Sequence, residues 1–266
     1  MSHHPIGIHN PKFIVGVFFF LYYIMANSAL YNRVVGGYGN MKGGAPSNLF
    51  ANGNQFIKLL KDKQSFLLMV FANLIVQLGV TYYFMTNYNE KKYMNFSILF
   101  LFIAQILLLI VLAMVPMPSW LKVAVFTVFS SLLGILLSKI ISKKYVDKDV
   151  VNLAVVGTIA IFATMFGFGA ILILLGVYLS AQFALFLFLS LLALIIFQIV
   201  NIFVSGGMLT RTLSMVSLFI FSLYIVYDTN SILQRNYTGD FITASLDYYL
   251  DIVNIFLDLL SLFSND

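Results

Sequence analysis

The chain has no cysteine and one tryptophan, and charged residues fill only 9% of its 266 positions. The missing cysteine excludes disulfides, thiolate metal sites and cysteine nucleophiles. All three histidines, His3, His4 and His9, stand at the extreme N-terminus. No apolar run therefore holds the base that a Ser-His pair needs. Gly-rich phosphate loops, His-Glu-x-x-His and Gly-x-Ser-x-Gly are missing as well. The expectation is a protein that is not an enzyme and has no resident cofactor.

What the sequence has in abundance is apolar surface. Hydrophobic residues make up 61% of it and the mean hydropathy is +0.96, whereas soluble domains carry about 25% charged residues. No aqueous core absorbs that much apolar surface, so the chain reads as an integral membrane protein with the lipid bilayer as its first partner. The net charge of +5 does not point to nucleic acid. Its lysines cluster between apolar runs, as Lys58, Lys61 and Lys63 or Lys143, Lys144 and Lys148, in the manner of membrane flanks.

Apolar runs bounded by charge and turn residues fall near 13–30, 66–86, 96–115, 120–140, 151–174, 180–204, 213–233 and 242–263. Each is close to the roughly 20 residues that a helix needs to cross hydrocarbon. They are too long and too uniformly apolar for barrel strands, so the fold class is all-α. Residues 1–61 form one unit, a hydrophobic segment that reads as an extra span or signal anchor, followed by a Gly/Asn-rich linker from Gly36 to Asn54. Lys12 with the small residues Ala26, Ser28 and Ala29 also fits a cleaved signal peptide. Residues 62–266 form the membrane domain, in which Pro116 and Pro118 mark a tight turn. Two sequons, at Asn95 and Asn236, lie in short loops and are expected to go unused.

Four of the ten acidic residues, Asp228, Asp247, Asp251 and Asp258, stand inside apolar runs. A carboxylate at the centre of a spanning helix costs about 2.5–3.5 kcal/mol on insertion scales, so it faces protein or water and marks a pathway or relay. At 100° per residue, Asp247, Asp251, Asn254 and Asp258 share a stripe of about 60° on the last helix. The short connection after Asp228-Thr229-Asn230 makes the last two helices antiparallel neighbours. Counted from it, Asp228 and Asp247 lie about 8 Å deep and Asp251 about 13 Å. Carboxylates in contact share a proton and titrate in coupled steps, a proton-sensitive arrangement. Their oxygens also suit Ca²⁺, and acidic stripes line cation paths. The plainer alternative is interhelical hydrogen-bond glue. Asp258, a turn from the membrane surface, fits a solvated flank as well as a functional group. Gln77, Thr81, Gln198 and Asn201 read chiefly as packing glue, Asn201 also as a pore-lining candidate, and the Phe and Tyr residues as lipid-facing or interfacial.

Phe221-Ser222-Leu223-Tyr224-Ile225-Val226-Tyr227-Asp228-Thr229-Asn230-Ser231-Ile232, with Asp247-Tyr248-Tyr249-Leu250-Asp251-Ile252-Val253-Asn254-Ile255-Phe256-Leu257 after it, resembles the C-terminal signature of the Bax inhibitor (TMBIM) family. Weaker echoes run from Ser65-Phe66-Leu67 onward, so the likeness covers about residue 62 to the end. The resemblance implies a seven-transmembrane-helix bundle with the last helix central, and a pH-sensitive Ca²⁺ leak with Ca²⁺ and protons as its small partners. It also implies calcium homeostasis and, in eukaryotic members, suppression of cell death through regulatory proteins. The membrane would be endoplasmic reticulum, Golgi or another intracellular one in a eukaryotic or viral setting, and the plasma membrane in a bacterial one. It casts Asp228 and Asp251 as gate and proton sensor and Asp247 as a cation-attracting residue, with all three as transient Ca²⁺ ligands. The run 96–115 lacks the arginine that some bacterial members place there to bind the acidic pair, and Lys122 is the substitute to consider. A membrane interaction protein that binds cell-death partners without conducting ions is the alternative. A proton-coupled carrier ranks below both, since no internal repeat is visible.

Overall fold

The computed structural model describes residues 49–88, 97–143, 146–204, 207–234 and 240–264. The hydrophobic segment at 13–30, the histidines and both sequon asparagines lie outside them. Among the described residues seven helices follow one another: α1 (Leu49–Asn87), α2 (Ile98–Met114), α3 (Ser119–Lys143), α4 (Lys148–Leu174), α5 (Ala181–Val204), α6 (Gly207–Gln234) and α7 (Phe241–Phe263). There is no strand among the described residues. Among the described residues five helices, α1 and α3 to α6, are long and apolar enough to cross a membrane, which marks an integral membrane protein. α2 is apolar but has only 17 residues, about 26 Å at 1.5 Å per residue. α7 has 23 residues, about 35 Å, and carries its own acidic residues.

The helix ends follow local chemistry. Ser97 caps α2 by accepting from the Phe100 amide at 3.1 Å. After Pro116, the Pro118 carbonyl accepts from the Leu121 and Lys122 amides and starts α3. α4 stops at Gly176, whose φ of 76° only glycine adopts without strain. There the Val177 amide turns back to the Leu172 carbonyl at 2.8 Å. α1 starts upstream of its apolar run, inside the stretch read as linker. Phe56, Leu59, Leu60 and Lys63 recur half-buried at helical spacing there and give the extension a packed face. Lys63 donates from Nζ to the Ile232 carbonyl at 2.9 Å, placing a cation at the C-terminal end of α6.

α7 is the axis of the bundle. It packs against α1, α4 and α6 and touches α3, while α2 packs on α3 and α5 on α6. From Ile242 to Ser261 only Thr243 and Asp247 escape full burial. The outer helices expose large apolar side chains such as Leu68, Ile75, Trp120, Val156, Ile159 and Phe219, the surface that hydrocarbon covers. Buried polar side chains join the helices. On α1, Asn73 Nδ2 donates to Ser245 of α7 at 2.6 Å, Gln77 Nε2 to Thr127 of α3 at 3.1 Å, and Thr81 to the Ser130 carbonyl at 3.1 Å. Gln77 and Thr81 thus pack helices together, as their sequence context suggested.

α6 continues to Gln234, so Asp228-Thr229-Asn230 lies within the helix and is not a frayed end. Asn230 clasps the α4–α5 connection: its Oδ1 accepts from the Leu179 amide at 2.9 Å, and its Nδ2 donates to the Val177 carbonyl at 3.1 Å. Asn230→Ala leaves both backbone groups without these bonds and should destabilise the fold by about 1–3 kcal/mol. Thermal unfolding in detergent should therefore show a lower midpoint for Asn230→Ala than for Asn230→Asp, which keeps the acceptor.

Candidate functional site

α7 begins where Asp240 caps it, Oδ1 accepting from the Thr243 amide at 3.1 Å. Lys122 of α3 reaches the same point, its Nζ donating to Asp240 Oδ2 and to Thr243 Oγ1, each at 2.6 Å. Burial pushes the Asp240 carboxyl up, but the Lys122 hydrogen bond, the Thr243 amide and the lysine charge outweigh it and hold the carboxyl below its ordinary range. Lys122 is thus spent on Asp240 at the mouth of the helix, in place of the acidic-pair contact considered from sequence.

One helical stretch further in stands Asp251, fully buried at 0% exposure, and across from it on α6 is Asp228 at 9%. The carboxyls acting electrostatically on Asp251 are those of Asp228, the stronger, and of Asp247. Asp247 is only half-buried. The fold therefore sets Asp228 and Asp247, singled out with Asp251 as gate, sensor and cation attractor, near enough to act on its charge, but among the described residues no three acidic groups converge closely enough to hold a metal ion as the expected Ca²⁺ ligands would.

Aromatic and hydroxyl groups wall these carboxyls. The Tyr248 hydroxyl donates to Thr229 Oγ1 at 2.9 Å, and Thr229 in turn donates to the Ile225 carbonyl at 2.7 Å. The Tyr248 ring lies parallel to Phe71 at 6.2 Å and edge-on to Phe162 at 5.3 Å. Tyr249 points the other way, to Thr81 of α1 and edge-on to Phe126 of α3 at 5.1 Å. Packing of this kind lowers the local dielectric and strengthens the interaction between the carboxyls. α4 comes close to α6 beside Asp228 because residue 169 is glycine: a Cβ there would stand 2.8 Å from Thr229 Cβ and 3.0 Å from the Val226 carbonyl.

The remaining candidates divide. Asn254 is buried, and its Nδ2 donates to the Leu250 carbonyl of its own helix at 2.7 Å. Asp258 is 2% exposed, so the solvated-flank reading does not hold: the neighbouring helices enclose α7 down to Ser261. Asn201 donates to Thr210 at 3.0 Å near the start of α6, about 27 Å along that helix from Asp228. It does not join these carboxyls.

A family model described as inhibitor of apoptosis-promoting Bax1 matches residues 60–266. The chain belongs to the Bax inhibitor family. The match covers α2 to α7 whole and most of α1. Relatives include Protein LIFEGUARD 1 of Arabidopsis thaliana, 37% identical over 81 residues, 30% of this chain and 34% of the relative. An uncharacterized membrane protein of Vibrio cholerae is 38% identical over 77 residues, 29% of this chain and 34% of that one. The Golgi anti-apoptotic protein of vaccinia virus strain Lister is 37% identical over 76 residues, 29% and 32% of the two chains. The chain thus spans about a third of the length of each curated relative it matches.

Within this Bax inhibitor chain the sequence reading passed over two features. Tyr224, Tyr248 and Tyr249 are fully buried, not lipid-facing or interfacial. The signal available was their place in the two acidic helices: one turn from Asp228 on α6, and between Asp247 and Asp251 on α7. Lys139 is 5% exposed and lies over the Tyr88 ring at 5.8 Å, a cation inside an apolar run that its position near the run's end disguised.

Two outcomes test this geometry. Gly169→Ala must push α4 from α6 and should cost about 1–3 kcal/mol. Gly167→Ala, with nothing within 4 Å of its Cβ, should be neutral or slightly stabilising; unfolding midpoints in detergent compare the two. For Asp240, a depressed carboxyl stabilises the fold above its unfolded value near 3.8 and ceases to as pH falls through the folded value. Asp240→Asn keeps the cap but loses the charge. It should unfold at lower temperature than wild type at neutral pH, and the difference should vanish in acid.

Proposed function

We propose that this protein is a pH-sensitive cation leak, chiefly for Ca²⁺, gated where α6 meets α7 and contributing to calcium homeostasis. The observation that carries it is the fully buried Asp251 beside Asp228 and Asp247 on the enclosed helix. Buried carboxyls close enough to act on one another cannot all ionise cheaply, and the number of protons they hold sets whether α6 and α7 hold together or repel. Their oxygens are the ligands Ca²⁺ prefers. In this reading Asp228 and Asp251 are gate and proton sensor, the positions at which the sequence resembles the family's paired aspartates. Half-exposed Asp247 draws cations to the mouth. Asn254 and Asp258, below Asp251 on the same face, continue the path. No catalytic residue is assigned. The site sits in a seven-span bundle whose α7 crosses within a shield of the other helices, and the membrane is an internal one or a bacterial plasma membrane.

A second reading draws on the relatives. The vaccinia protein is named Golgi anti-apoptotic and the family is described as inhibitors of apoptosis-promoting Bax1. We therefore extend suppression of cell death to this chain, either downstream of the leak or by direct binding of cell-death proteins. Purified protein in liposomes separates the two. The leak reading expects Ca²⁺ flux that changes across roughly pH 5 to 8, and a lost pH response in Asp251→Asn and Asp228→Asn. Flux no greater than that of empty vesicles, with cell protection retained by both variants, would sink it in favour of partner binding.

A further inference from the structure

The polar face of α7 does not start at Asp247. Asp240, Thr243, Asp247, Asp251, Asn254 and Asp258 fall within an arc of about 80° at 100° per residue, and Asp240 stands about 16 Å along the axis from Asp251. Asp240, with its side chain 27% exposed, and Asp247 are part-exposed, whereas Asp251 is 0% exposed. At the accessible end a cation is already seated. The Lys122 ammonium lies 2.6 Å from a carboxylate oxygen and 2.6 Å from a hydroxyl oxygen, in a side chain only 13% exposed. Carboxylate and hydroxyl oxygens around a positive charge are also the donors offered to a hard cation.

We propose that Lys122 is a tethered cation that occupies the entrance of this acidic face and sets how readily a divalent cation passes toward Asp251. The proposal deepens the leak reading and rests on it for its consequence in flux, but its binding step is independent of conduction. Lys122 springs from the first turn of α3, anchored by the Pro118 carbonyl. α3 is held to the bundle further along by Phe126 and Phe129 against Tyr249. Its flexible four-carbon stem lets the ammonium swing away while the helix stays. An incoming Ca²⁺ then has to displace Lys122, and its affinity at the mouth is lowered by the work of separating Lys122 from Asp240.

The test uses the full chain. In proteoliposomes, Ca²⁺ flux is measured against external Ca²⁺ for wild type, Lys122→Met and Lys122→Arg. In detergent, Tb³⁺ is titrated into the same proteins and into Lys122→Met combined with Asp240→Asn. Removing the tethered charge should raise flux at low Ca²⁺ about tenfold, the scale of one discounted charge contact, and should lower the half-saturating Ca²⁺. Lys122→Arg should behave as wild type. Tb³⁺ should bind Lys122→Met more tightly than wild type, and Asp240→Asn should cancel the gain, which a merely structural lysine would not produce. If Lys122→Met is not recovered folded, Lys122→Gln and Asp240→Asn carry the comparison. An unchanged flux curve for Lys122→Met, while Asp251→Asn still alters flux, overturns the tethered cation and leaves the leak. Tighter Tb³⁺ binding without flux from any protein supports the tethered cation and removes the leak. Neither effect overturns both.

Discussion

A carboxylate taken out of water is costly unless it is paired or enclosed among polar partners, and α7 carries Asp247, Asp251 and Asp258 along one face. The rest of the bundle answers that constraint. Lipid offers no hydrogen bonds, so the helix has to be surrounded by other helices. α1, α4 and α6 do this along its length, with α3 completing the shell. The enclosing helices are amphipathic in the membrane sense, with polar groups such as Asn73, Gln77 and Thr81 turned inward and Leu68, Ile75 and Phe219 turned outward.

The same enclosure makes the acidic face chemically distinctive. Tyr248, Phe71, Phe162 and Phe166 pack beside it, so the interaction between Asp251 and Asp228 works through a medium of low dielectric. Gly169 draws α4 onto α6 at the level of Thr229, while Asn230 fixes the following connection to the end of α6. The carboxyls are therefore held by a packed surround, with Asp240 and Asp247 the part-exposed acidic residues at the N-terminal end of α7. Charge at that end is partly balanced by Lys122, a cation supplied by α3.

Much of this was legible beforehand. The run 151–174 became α4, Lys148–Leu174, and 242–263 became α7, Phe241–Phe263, because long apolar stretches in lipid have only the helix open to them. Asp228, Asp247 and Asp251 were legible as a group because helical period and loop length fix their face and depth. Asp258 was ambiguous, since distance from a helix end does not say whether neighbouring helices extend past it. The buried tyrosines were misread because a tyrosine suits a membrane interface and a packed core equally well by composition. Two of their partners, Thr81 for Tyr249 and Thr229 for Tyr248, stand on other helices.

The sequence by itself determined the apolar helices, the acidic face of the last one and membership of the Bax inhibitor family, since period, length and local spacing are properties of a single segment. Only the tertiary structure decided that Lys122 meets Asp240, that Asn201 meets Thr210 far along α6 from Asp228 and that Lys139 is buried. Each of these depends on the register between helices. That register is set by side-chain packing at contacts such as Gly169 against Thr229, which no one segment contains.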